Sequence, residues 1–158
     1  MIISPATLTV IGIAFLAVTS NLLAENEQPA VYSRVLTADS AAVWKACLEQ
    51  TNDSQGHRIE AGHNPYVLWL FFDFGDTVHP MSELADYAGS ADALGTRYGR
   101  AEIKLTVNSV SRGHTKISGT GFFEGVSLPT AAAYLPLRSK GVLERKVVDS
   151  IAQRVAPR

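Results

Sequence analysis

The chain has one cysteine in 158 residues, no charged side chain before residue 25, and no apolar run long enough to span a bilayer. A lone Cys47 excludes an internal disulfide and a zinc site built from several thiolates. With 14 basic against 15 acidic residues, the net charge of -1 leaves no electrostatic footprint for a nucleic-acid backbone. No basic stripe interleaved with aromatics runs along any segment, so a nucleic-acid partner is not expected. Internal repeats and low-complexity tracts are missing too, and residues 31–158 read as one domain with a single core.

What is present begins with the uncharged start. Residues 8–18 are almost wholly apolar, small and polar residues follow, and then comes the acidic Glu25-Asn26-Glu27. This is the layout of an export signal, and the apolar run is shorter than the roughly 18 residues of a spanning helix. Residues 1–24 are therefore expected to be a signal peptide or, if uncleaved, an N-terminal membrane anchor, with cleavage after Ala24 or Ser20. No cysteine stands just after the apolar run, since Cys47 lies far downstream, which disfavours a lipoprotein. The expected localisation is exported, periplasmic or secreted, with residues 25–30 as a polar linker.

Beyond the linker, residues 31–36 read as a strand. Asp39 then caps a helix over 40–51, which shows Val43 and Cys47 on one face. A strand at 57–61 and another at 66–74 follow, the second apolar on both faces and thus central or covered twice. Residues 80–96 read as an Ala/Gly-rich connection. From Ala101 to Val107 apolar and polar residues alternate strictly, the mark of a half-buried strand. A loop at Ser111-Arg112-Gly113 turns it into a partner strand and sets Val107 opposite Ile117 and Arg100 opposite Glu124. Gly119 and Gly121 fall on the inward face of that partner, which predicts a bend or a close approach by another element. The candidate is a last helix over 140–155, capped by Ser139, with the stripe Leu143, Val147, Ile151 and Val155 widened by Val148 and Ala152. The fold class is α+β: a curved antiparallel sheet of about five strands, an N-terminal helix insertion, and a long C-terminal helix packed on the sheet.

The order of strand, capped helix with Val43-Trp44, antiparallel strands and long final helix resembles the START-like, helix-grip superfamily over residues 31–155. That resemblance implies a small apolar ligand gripped between sheet and last helix. It is also similar to small envelope domains of outer-membrane assembly lipoproteins, which bind proteins.

Chemistry is sparse. Asp73, Asp76 and His79 lie within seven residues and could ligate zinc or manganese in a hydrolase. The alternative is a Gly turn bracketed by Asp73 and Asp76, with His79 in an exposed loop before Pro80, and the spacing favours the turn. His57 begins a strand, while His63 and His114 belong to turns. No G-x-S-x-G elbow or zinc helix occurs, and Asp73-Phe74-Gly75 lacks every companion of a kinase signature. Cys47 has no activating neighbour on its helix face. No catalytic residue, metal or cofactor is expected. Tyr66, Trp69, Phe71, Phe72 and Phe74 crowd one strand near Trp44, either as core or as the wall of a groove. The Pro-broken apolar stretch 126–137 suits a lid or interface. The leading expectation is thus a non-enzymatic exported module for an envelope protein partner or lipid. A binder of a small apolar ligand comes next, and a metal-dependent hydrolase third.

Overall fold

A computed structural model of the chain describes residues 29–60, 65–75, 78–87, 96–127 and 135–156. The first strand, β1, is Val31–Leu36. Asp39 then caps α1 (Ser40–Glu49), its Oδ1 accepting from the Ala42 amide at 2.7 Å. The helix ends two residues before the predicted 51 and tightens into a 3₁₀ turn over Gln50–Asp53. There the Thr51 and Ser54 hydroxyls donate back to the Leu48 and Thr51 carbonyls. Two strands follow, β2 (Gly56–Glu60) and β3 (Tyr66–Gly75). Next come α2 (Val78–Leu84) and β4 (Ala85–Tyr87). The chain continues through β5 (Thr96–Ser111), β6 (His114–Ser127), β7 (Leu135–Ser139) and α3 (Val142–Val155). Among the described residues, no helix is long and apolar enough to cross a membrane.

The strands form one antiparallel sheet in the order β2-β3-β5-β6-β7-β4, with β1 also on β6. β6 serves two partners in succession: residues 115–120 pair with β1, and residues 123–125 with β7. The long β5–β6 hairpin places Val107 opposite Ile117 and Arg100 opposite Glu124, as the alternation predicts. At its tip Gly113 takes φ +73, the left-handed conformation the loop requires. Pairing continues to Ser111 and His114, with a bulge between Ser109 and Ser111.

Four expectations change. The sheet has seven strands, not about five, because β4 and β7 pair with each other and join it through β6. Residues 80–96 are not a plain connection, since they hold most of α2, all of β4 and the first residue of β5. The 126–137 stretch is strand at both ends, in β6 and β7, while residues 128–134, where a lid or interface would lie, are outside the described part. Finally, α3 starts at Val142 with Gly141 as its N-cap at φ +74, and Ser139 does not occupy the cap position. Residues 1–24 and most of the 25–30 linker lie outside the described residues.

One face of the sheet carries the core. Leu68, Leu70, Ile103, Leu105, Val107 and Ile117 are completely buried there. At one end α1 covers them with Val43 and Cys47, while Trp44 stacks on Tyr66 at 5.0 Å between ring centroids. The stripe predicted for α3 is largely borne out: Leu143, Val147, Val148, Ile151 and Ala152 are buried. The helix is fastened to β1 where Asp149 Oδ1 accepts from Tyr32 Oη at 3.1 Å and from the Arg34 guanidinium at 3.0 Å. The Arg145 guanidinium lies over the Tyr32 ring, 5.4 Å from its centroid.

Candidate functional site

The inner face divides into two halves. The half around Leu68, Leu105 and Val107 is closed by α1 and the C-terminal part of α3. The other half runs from the β3 bulge across Gly99 and Ala101 to Gly121 and Phe123. Phe72 and Phe74 point onto this second half, stacked 6.4 Å apart and only half-buried. Met81 of α2 reaches over it and is buried against Gly99, where any side chain would collide with it.

Glu144, in the first turn of α3, projects into this half and is 0% exposed. Its position follows from the glycines of β6. A Cβ added at Gly119 would lie 3.1 Å from Val148 Cγ2, and one at Gly121 would lie 2.6 Å from the Glu144 carboxyl carbon. The helix therefore crosses where the glycine pair predicts, and the space left by Gly121 is taken by a carboxylate. Glu144 Oε1 accepts from Ser139 Oγ at 2.5 Å, and that hydroxyl accepts in turn from the Gly141 amide at 2.9 Å. Glu144 Oε2 is buried with no hydrogen-bond partner among the described residues. A carboxylate oxygen can only accept, so the site lacks one donor. Nearby cations are engaged elsewhere. Lys140 Nζ is 3.0 Å from Asp86 and donates to the Ser82 carbonyl, and Arg145 lies on Tyr32.

The sequence reading missed Glu144, although the signal is there: four residues before Val148 puts an acid on the buried stripe. Of the residues singled out for metal, Asp73 is an exposed residue of β3, not of a turn, and its Oδ1 accepts from the Gly75 amide at 2.9 Å at the strand's bulge. Asp76 lies outside the described residues, as does His63. His79 falls in α2 and not in a loop, because Pro80 is tolerated in a first helical turn. His57 and His114 are exposed on β2 and at the hairpin tip. Among the described residues no cluster of three or more His, Cys, Asp or Glu could hold a metal ion. Cys47 is buried in the α1 half, and burial pushes its thiol up to about 12.

The crowded aromatics of β3 divide between the two faces. Trp69 lies on the outer face between the Arg58 guanidinium at 5.2 Å and the Lys104 ammonium at 5.1 Å from its ring centroid. Its Nε1 donates to Glu60 at 2.5 Å, and Phe122, 41% exposed, tilts against it at 5.6 Å. An open cleft of about 240 Å³ lies here, lined also by Arg100, Glu102 and Glu124. This face explains the two-sided apolar character of β3: it is central, and its outer side is covered by cations stacked on an aromatic ring.

No protein-family model and no curated protein matches the chain. A solved structure described as "Crystal structure of Ara h 8.0201" is similar at 14% identity, covering 80% of this chain and 95% of that one, with a TM-score of 0.32. The match is weak. By its own geometry the described chain has an antiparallel sheet, a helix after the first strand and a long last helix packed on the inner face.

Proposed function

We propose that the chain is a non-enzymatic binding module whose site lies between the sheet and the N-terminal half of α3, and that it holds a small, largely apolar molecule. One observation carries this: a fully buried carboxylate with an unpartnered oxygen, set in an apolar wall beside half-buried phenylalanines. Ligand sites combine mostly apolar walls with a few placed polar groups, and a buried acceptor left without a donor is a feature that native cores otherwise avoid. The export expectation belongs to the same proposal, supported by the uncharged residues 1–24. On this reading, expression in a secreting bacterium yields protein whose N-terminus, by Edman sequencing, is Glu25 or Asn21; Met1 on periplasmic material would sink it.

The ligand reading is tested by native mass spectrometry of the protein as purified, and by thermal unfolding of delipidated protein with added alkyl compounds. A retained small molecule, or a concentration-dependent rise in Tm, is the expected result. Unliganded protein with a flat Tm across the series would end the reading. A second reading, docking of a protein partner, is favoured by the exposed Phe122 beside Trp69 on the outer face. Phe122→Ser would then abolish co-purification of the partner without changing Tm in the alkyl series.

A further inference from the structure

The interior site, if it holds a ligand as proposed above, also specifies which end of that ligand meets Glu144. The carboxylate has two acceptor oxygens, and the hydroxyl that reaches it spends its proton on Oε1. Oε2 is left facing protein interior without a donor, and Gly121 beneath the carboxylate offers no side chain to supply one. Among the described residues no ion pair involves Glu144, and the adjacent Lys140 and Arg145 are turned to Asp86 and Tyr32. A ligand ending in a carboxylate would bring a second acceptor group against Oε2 and no donor. A ligand ending in a hydroxyl or an amine would bring the missing donor.

We infer that Glu144 Oε2 is the polar anchor of the site and that its ligand is an apolar molecule ending in a hydrogen-bond donor, a hydroxyl or a primary amine. The apolar part lies along Phe72, Phe74 and Phe123, and Met81 is the side chain that must yield to admit it. Flexible, unbranched methionine is suited to that adjustment. The inference rests on the ligand reading of the same interior, so the experiment separates the two.

Delipidated full-length protein is titrated calorimetrically at pH 7 with 1-decanol, decylamine and decanoate, which share a chain and differ in headgroup. The alcohol and the amine are expected to bind at least about tenfold more tightly than decanoate. In Glu144→Leu the three should fall within about threefold of one another, since only chain burial remains. Glu144→Gln, nearly isosteric, provides the same comparison should the Leu variant fail to fold by near-ultraviolet circular dichroism. It should lose the preference for the amine over decanoate. Decanoate binding as tightly as the other two, or an amine preference that survives both substitutions, overturns the anchor while leaving the ligand site standing. No binding of any probe to the unsubstituted protein overturns the ligand site itself, and the anchor with it.

Discussion

Gly121 has no side chain, and the Glu144 carboxylate fills the volume one would take, with the Phe123 ring beside it. Gly121→Val must push a buried carboxylate off its Ser139 partner or displace the ring. The expected loss is about 1–3 kcal/mol in urea unfolding, the usual range for overpacking. An unchanged midpoint would mean that α3 does not cross β6 there. Glu144 itself behaves in the opposite way. Its unpartnered oxygen opposes folding, since a buried acceptor without a donor costs about 1–3 kcal/mol. Glu144→Met, unbranched and similar in length, is therefore expected to leave stability unchanged or raise it by about 1 kcal/mol while removing the headgroup preference. A loss above about 2 kcal/mol would instead make the carboxylate a structural strut. Cys47 gives a prediction with a definite sign. Burial raises its thiol from 9.0 to about 12. Between those values the unfolded chain has released the proton and the folded chain has not, so stability falls as pH rises above 9. Cys47→Ala should show a shallower fall, by up to about 1.4 kcal/mol per pH unit. Parallel slopes would contradict a buried neutral thiol.

Elements differ in how plainly their residues announce them. The β5–β6 hairpin is legible because half-burial writes a period of two over residues 101–107, and the register follows from the turn. The α1 cap is legible because Asp39 precedes an amphipathic run. The short β4 and β7 are not, for physical reasons visible at Pro136. It removes a donor from β7, yet only Leu137, Arg138 and Ser139 pair with β4, so Pro136 faces β6 alone. A three-residue strand held by such a partner carries no pattern of its own. The start of α3 was misplaced for a related reason: Ser139 has the chemistry of a cap but spends it one step away, bridging the Gly141 amide and Glu144. Glu144 is not legible as a buried group because an acid on a helix is ordinarily solvated, and only the crossing at Gly121 buries this one. The fold was thus readable from local pattern, and the site was not, because it depends on two elements meeting. The Ser139 bridge supports a prediction at this scale. Ser139→Ala removes the helix-start contact and leaves the second carboxylate oxygen unpartnered as well. A loss of about 1–3 kcal/mol is expected, with earlier hydrogen exchange in the first turn of α3 than in its C-terminal half. Uniform exchange along the helix would assign Ser139 no such role.

For the whole molecule, the division of the inner face into a closed half and a half-open one governs how binding and folding are linked. The α1 half is packed with completely buried side chains and supplies stability whether or not a ligand is present. The other half keeps half-buried phenylalanines and an acceptor without a donor, both of which a ligand would improve. A ligand that binds only the folded chain adds RT ln(1 + [L]/Kd), about 2.7 kcal/mol at one hundred times Kd. For a domain of this size that is a rise in Tm on the order of 5–15 °C. The rise should be specific to the half that contains the site. Val43→Ala, on the buried face of α1, is expected to lower Tm by cavity formation and leave the ligand-induced increment intact, because it lies in the closed half. Gly121→Val lowers Tm too, but it places a side chain where Glu144 and the ligand headgroup meet, so its increment should vanish. Thermal melts of both variants, with and without 1-decanol, separate the cases. Equal increments in the two would show that the alcohol binds away from the glycine crossing, and with that the division of labour between the two halves would fail.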